Sequence, residues 1–204
     1  ARAILDYKSG IKPHNIGENN FIAAPINWAE IPMSQGYTKL ESLMIFAIEN
    51  LKKQVNQDLS NAQIIFSTTK GNIDLLASAD ALSEDVFLNK MAENISRAVC
   101  IKSTPIVISN ACISGISALI MASRLIQEDK SKDVIVVGAD LLSQFVVTGF
   151  QAFKSVSQNP CIPYDEKRDG LSMGEACGAV LLSSENSTNS SVSILSGAIT
   201  NDAN

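Results

Sequence analysis

The segment that most constrains this chain is Pro105-Ile106-Val107-Ile108-Ser109-Asn110-Ala111-Cys112-Ile113-Ser114-Gly115. Its β-branched run Ile106, Val107 and Ile108 reads as a buried strand. After it, Ile113, Ile116, Leu119, Ile120, Leu125 and Ile126, with small Ala118 and Ala122 between them, read as a helix apolar nearly all round. That helix ends at Gln127-Glu128-Asp129-Lys130-Ser131-Lys132, and Val134-Ile135-Val136-Val137-Gly138-Ala139 is a second apolar strand. Strand, helix, strand with a polar turn is a βαβ unit, whose two strands must run parallel and whose sheet must be covered on both faces. Cys112 stands at the strand-to-helix junction, aimed at the helix's unpaired N–H groups and positive dipole end, an address that suits a nucleophile. The plainer alternative is a small buried hydrophobe, the usual role of a free cysteine. A tight turn that carries a nucleophile between a strand and a buried helix is a recurrent catalytic arrangement.

Other patterns extend the α/β reading. Thr38-Lys39-Leu40-Glu41 is a capping box, and Leu40, Leu43, Met44, Ala47, Ile48 and Leu51 follow at helical spacing, with the charged face read as solvated. Ile64-Ile65-Phe66-Ser67 predicts a buried strand that turns at Thr68, Thr69 and Gly71. A further helix is expected from Asp80 to Arg97 on Leu82, Val86, Met91 and Ile95, and another from Ser143 to Phe153. Gly178 to Leu182 predicts a strand, the Ser/Asn-rich Ser183 to Ser191 a hairpin loop, and Val192 to Thr200 its antiparallel return. Residues Ala1 to Met33, punctuated by Pro13, Gly17, Pro25 and Pro32, are expected to be mostly loop, with His14 on the surface.

The 204 residues suffice for one good-sized domain, and the 46% hydrophobic content is ample for its core. A net charge of −5 without long like-charge runs argues against nucleic acid as the main partner. No stretch of eighteen apolar residues spans a membrane, and no charged-then-apolar leader opens the chain. Cys100, Cys112, Cys161 and Cys177 form no Cys-x-x-Cys pair and read as reduced thiols of a cytoplasmic protein. With one histidine in the chain, a zinc site has no sequence support.

Asn110-Ala111-Cys112-Ile113-Ser114-Gly115 resembles the nucleophile motif of the β-ketoacyl-acyl-carrier-protein synthases, condensing enzymes of the thiolase fold. In order and register after it, Pro163-Tyr164-Asp165-Glu166-Lys167-Arg168-Asp169-Gly170 and Met173-Gly174-Glu175-Ala176-Cys177-Gly178 resemble that family's Pro-Phe-Asp…Arg-Asp-Gly-Phe…Gly-Glu-Gly-Ala-Gly block. Tyr164, Leu171 and Ala176 depart from it, which bears on subfamily and chain length. The resemblance runs from about Lys8 to Asn204 and implies the N-terminal half of the duplicated αβαβα layered fold, a mixed sheet flanked by helices, as one domain over residues 1–204. Lys8-Ser9-Gly10-Ile11 resembles the loop after the family's first helix, so Ala1 to Leu5 would be that helix's tail, the first strand would lie upstream, and the second half downstream.

By the same resemblance, Cys112 would hold the acyl chain and its N–H would be one oxyanion donor. Phe150, Gly149, Met173, Phe87 and Met91 would touch substrate, with Gly174 at the border of the pocket. Asp165, Arg168, Asp169 and Glu175 would support the site through charge-assisted hydrogen bonds rather than act as an acid/base cluster. The implied reaction is a decarboxylating Claisen condensation with malonyl-carrier protein, in fatty acid or polyketide-type biosynthesis. It needs no cofactor, because substrates arrive on the phosphopantetheine of an acyl carrier protein. The family's catalytic histidines and lysine would lie beyond Asn204, so these 204 residues alone are expected not to condense. Strand Ile106 to Ser109 would pair across a twofold axis, in a homodimer or with a homologous chain. Three alternatives stand beside the enzyme: a noncatalytic partner subunit of the chain-length-factor kind, which usually lacks the cysteine; a thiol redox or hydrolase domain, disfavoured without Cys-x-x-Cys or a nearby histidine; and a thiolase, which lacks the Arg-Asp-Gly block.

Overall fold

In Gln63–Ser67 (β3), Ile64 and Phe66 point to one side and Ile65 to the other, and all three are fully buried. Burial on both sides demands a layer on each face of the sheet. The computed structural model describes residues 6, 8–17, 19–77, 83–185 and 192–200. Around β3 it forms a mixed sheet of four strands. Ile106–Ile108 (β4) and Asp133–Asp140 (β5) both run parallel to β3, and Ala176–Ser183 (β7) runs antiparallel to β5. The βαβ unit predicted from Cys112's neighbourhood is present, with β3 inserted between its two strands.

Side-chain alternation sorts the core into two halves. On one face Ile64, Phe66, Ile135, Val137 and Ala139 pack against Lys39–Lys52 (α1) and Leu88–Ala98 (α2). On the other, Ile65, Val134 and Val136 meet Ala118 and Ala122 of Ser114–Gln127 (α3), where alanines let the helix lie close to the strands. The expected all-round apolar character of α3 resolves into a sheet-facing stripe, while Ile116 on its far side is 61% exposed. Part of the remaining surface lies under segment 192–200, which crosses α3 so closely that a Cβ at Gly197 would fall 2.5 Å from Ile120.

The capping box of α1 closes as predicted: Thr38 Oγ1 accepts from the Glu41 N–H at 3.1 Å, and the Glu41 carboxylate accepts from the Thr38 N–H at 2.9 Å. Glu41 corrects the solvated-face expectation, because it is only 2% exposed. Its second oxygen is met by the side-chain amides of Asn72 at 3.3 Å and Asn94 at 3.4 Å, so the buried carboxylate has partners from three segments.

Three other expectations change. The N-terminal segment is not mostly loop: Lys12–Ile16 (β1) and Asn19–Ala24 (β2) form an antiparallel hairpin, turned at Gly17 in the left-handed region, and Met173–Gly174 (β6) pairs in parallel with β2. Phe21 and Ala23 of β2, with Met173, Val146 and Val147, make a separate small core. The helix expected from Asp80 begins at Leu88, after a 3-10 turn at Glu84–Val86 whose start is capped by Ser83. Asp80 to Leu82 lie outside the described residues, as do Ala1 to Leu5 and most of the Ser/Asn-rich loop after Ser184. Val192 to Thr200 form no strand, and β7 instead takes the whole length of β5, from Asp133↔Ser183 to Asp140↔Ala176. Gln144–Ala152 (α4) starts behind the Ser143 cap, close to prediction. No helix among the described residues is long and apolar enough to cross a membrane.

Candidate active site

Because β4, β3 and β5 are parallel, their C-terminal ends meet at one edge of the sheet, the place where open α/β sheets bind ligands. Cys112 follows β4 there, Thr68 to Lys70 follow β3, and Asp140 to Leu142 stand at the end of β5. The turn at Cys112 is tightly held. Ser114 Oγ accepts from the Asn110 N–H at 2.8 Å and donates to the Ala111 carbonyl at 2.7 Å, while the Ile113 N–H donates to the Asn110 carbonyl at 3.1 Å. Ala111 takes a left-handed φ of 45°, a conformation that non-glycine residues adopt at a cost. The chain therefore doubles back sharply, and Cys112 emerges exposed just before Ile113, the residue that caps the fourteen-residue α3. The first N–H groups of α3 and its positive dipole end make this corner favourable to negative charge.

Cys112 lines a cleft of about 640 Å³. Its apolar wall comes from Val146 and Phe150 of α4, Leu141 and Leu142 after β5, and Met173 of β6. Of the residues expected to touch substrate, the structure brings Phe150 and Met173 together with Cys112, and Gly174 joins them at the border. Gly149 is beside Phe150 on α4 without lining the cleft. Met91 is fully buried in the core under α1, and Phe87 is a half-exposed residue at the start of α2, so neither borders the cleft. His14 stacks edge-on against Phe21 in the hairpin, with ring centroids 5.6 Å apart, and does not line it either.

Glu175 sits beside the cleft as a strut. One carboxylate oxygen accepts from the Ile26 N–H and the Trp28 Nε1–H, each at 3.0 Å, and the other accepts from the Leu142 N–H at 3.2 Å. It thereby ties the N-terminal segment to the loop that builds the cleft wall. Asp169 accepts from the Ser157 hydroxyl, and Gly170 lies flat on the backbone of Ser155 to Ser157, where Leu171 exchanges hydrogen bonds with Ser155 and Ser157. Asp165 and Arg168 close an exposed local turn, in which Arg168 Nη1 donates to the Asp165 carbonyl at 2.9 Å. None of Asp165, Arg168 and Asp169 touches the cleft.

Among the described residues, the charged side chains lining the cleft are Lys70 and Asp140, whose Nζ and Oδ1 atoms are 2.9 Å apart. Sequence reasoning passed over both. Their positions at the ends of two apolar strands were the available signal, since strand ends are where an α/β sheet presents side chains to ligands. All four cysteines are free, and burial pushes the Cys177 thiol up to about 12.

Residues 56–187 match the family model for the beta-ketoacyl synthase N-terminal domain. The chain is 27% identical over 131 residues to the probable polyketide synthase 26 of Dictyostelium discoideum, an alignment that covers 61% of this chain and 5% of that protein. Among solved structures, it superposes on a chain of the complex of a ketosynthase with its chain length factor from Xenorhabdus doucetiae, with a TM-score of 0.72 at 22% identity, covering 86% of this chain and 51% of the other. A beta-ketoacyl synthase from Burkholderia phymatum STM815 gives a TM-score of 0.61 at 20% identity, covering 79% and 47%. The chain thus spans about half the length of the ketosynthases it resembles, and the shared architecture is thiolase-like. With the family model matching well over half its length, and both sequence motifs inside the match, the chain belongs to the beta-ketoacyl synthase family through that family's N-terminal domain.

Proposed function

We propose that this chain supplies the acyl-accepting half of a β-ketoacyl synthase. The observation that carries the reading is Cys112 itself, exposed at a hydrogen-bonded strand-to-helix turn and bordering an apolar cleft. An acyl group arriving as a thioester on the phosphopantetheine of an acyl carrier protein passes to the Cys112 sulfur, and the carrier thiol leaves. The Cys112 N–H is the oxyanion donor proposed for this chain, with the first turn of α3 behind it. In the second half-reaction malonyl-carrier protein loses CO₂, its carbanion attacks the Cys112 acyl carbonyl, and the Cys112 sulfur departs.

The donors for that decarboxylation are proposed to come from residues outside this chain, since its single histidine, His14, does not line the cleft. Phe150, Met173 and Gly174 are the proposed acyl contacts, and Glu175, Asp169 and Arg168 the supports. A ketosynthase-like partner is proposed as well. Among the described residues, β4 is an edge strand whose outer side has no neighbour within the sheet, which supports pairing with a like or homologous chain. The free cysteines agree with a cytoplasmic setting.

Incubation with acetyl-carrier thioester, followed by intact and peptide mass spectrometry, tests the reading. The expected product is one acetyl group on the Cys112 peptide and none in C112A, with no chain extension by these residues alone. A folded protein that leaves Cys112 unmodified would instead favour a noncatalytic partner subunit, a role suggested by the chain length factor beside the Xenorhabdus ketosynthase.

A further inference from the structure

A second cavity, of about 100 Å³, lies next to the Cys112 cleft. The two share five wall residues: Lys70, Asp140, Leu141, Leu142 and Val146. Leucine and valine walls accept an alkyl chain from either side. The Lys70–Asp140 pair does not. Its 2.9 Å contact is braced by a hydrogen bond from Lys70 Nζ to Thr69 Oγ1 at 3.0 Å, with the Lys70 side chain 21% exposed and that of Asp140 56% exposed. A methylene chain pushed past it must strip water from two charges and part them, and neither cost is recovered by apolar contact. Beyond the pair, the second cavity mixes apolar Leu40 and Ile73 with the polar Lys39, Asp74, Ser143 and Glu175, so the ion pair is the barrier at its mouth.

Resting on the reading of Cys112 as the acylated residue, we infer that the Lys70–Asp140 ion pair sets acyl-chain length, ending the groove that begins at Cys112 and keeping alkyl chains out of the second cavity. The pair determines specificity at the far end of the substrate and takes no part in the chemistry at the thioester carbonyl. Straight-chain saturated acyl groups are the substrate class it measures.

The test is loading of Cys112 from a graded series of acyl thioesters, acetyl to palmitoyl, read by mass spectrometry in the wild type, in K70M/D140L and in the swapped pair K70D/D140K. Wild-type loading falls off at a defined length. The apolar double variant is expected to load chains just past that length about tenfold faster relative to acetyl, the order of discrimination a single methylene provides. The swap restores the cut-off, and because only chains past that length respond while acetyl loading does not, the change cannot be a general loss of structure. An unchanged length profile in K70M/D140L, with acetyl loading intact, overturns the inference and leaves the Cys112 reading standing. A swapped pair that loads long chains as the apolar variant does overturns it too. Absence of acetyl loading in the wild type overturns both.

Discussion

Replacing Glu175 by glutamine should cost far more stability than a change of one atom at a half-buried position suggests. The carboxylate accepts three hydrogen bonds at 3.0, 3.0 and 3.2 Å, from Ile26, Trp28 and Leu142. A carboxamide keeps one acceptor oxygen. In its better orientation that oxygen stays with Ile26 and Trp28, and the amide NH₂ is turned against the Leu142 N–H. One donor then faces a donor, and the other two lose their charge-assisted acceptor, for a total of about 2 kcal/mol. E175A abandons all three donors; with some access to water at each, about 1 kcal/mol apiece gives ~3 kcal/mol. In a chain of this size a loss of 2 kcal/mol corresponds to a fall in Tm of about 4–8 °C. Urea unfolding followed by fluorescence of Trp28, the chain's single tryptophan, measures it directly, with an unchanged m-value expected. E175Q within about 0.5 kcal/mol of wild type, or E175A no worse than E175Q, would refute the claim that these three bonds hold the N-terminal segment in place.

Two further outcomes are expected. At Gly170, φ is 152° and an added Cβ would lie 2.6 Å from the Ser157 nitrogen and 2.8 Å from the Val156 carbonyl carbon, so G170A should destabilise by about 3 kcal/mol; a melting temperature equal to wild type would contradict it. The Cys177 thiol, raised by burial from 9.0 to about 12, keeps its proton in the folded state while the unfolded chain loses it, so its contribution is complete below pH 9 and is lost as pH climbs toward 12. The stability difference between wild type and C177A should therefore decline above pH 9 by about 1.4 kcal/mol per pH unit. A difference that stays flat with pH would show that the thiol is not shielded.

The parts of this fold that were readable in the sequence are those whose causes are local. The apolar runs at Ile64 and Val134 are strands because residues buried on both faces favour little else, and the β-branched run at Ile106 joins them as a half-buried edge strand. Thr38 and Glu41 announce α1 because a capping box is complete within four residues. The turn at Cys112 was readable for the same reason, since Asn110, Ala111 and Ser114 satisfy one another. What escaped depends on distant partners. The β1–β2 hairpin lacks strong strand chemistry in its own residues and gains its core from Val146, Val147 and Met173. β7 reads locally as half of a hairpin, yet the free side of β5 offers it eight paired residues. Glu41 looked solvated because helical spacing shows which face a residue is on, and not that Asn72 and Asn94 will arrive to meet a carboxylate. Lys70 and Asp140 lie seventy positions apart, and only the strand order brings them together.

The way the N-terminal hairpin is anchored has a consequence for the order in which the chain acquires structure. β2 finds its parallel neighbour in β6, and Ile26 finds its acceptor in Glu175, 149 residues later. Closing a loop of that length is entropically expensive and is rewarded only after the intervening sheet exists. During synthesis, at about 5–20 residues per second, the hairpin emerges ahead of that sheet and waits roughly ten seconds for Met173 and Glu175. Throughout that interval Phe21 has no core to enter, while the buried residues of the main core, Leu40 to Ala139, are already made and wait only for β7 to cover the free side of β5. These two strands are thus made before the sheet they lean on and settle after it, so Phe21 is the apolar side chain of this hairpin that needs shielding meanwhile.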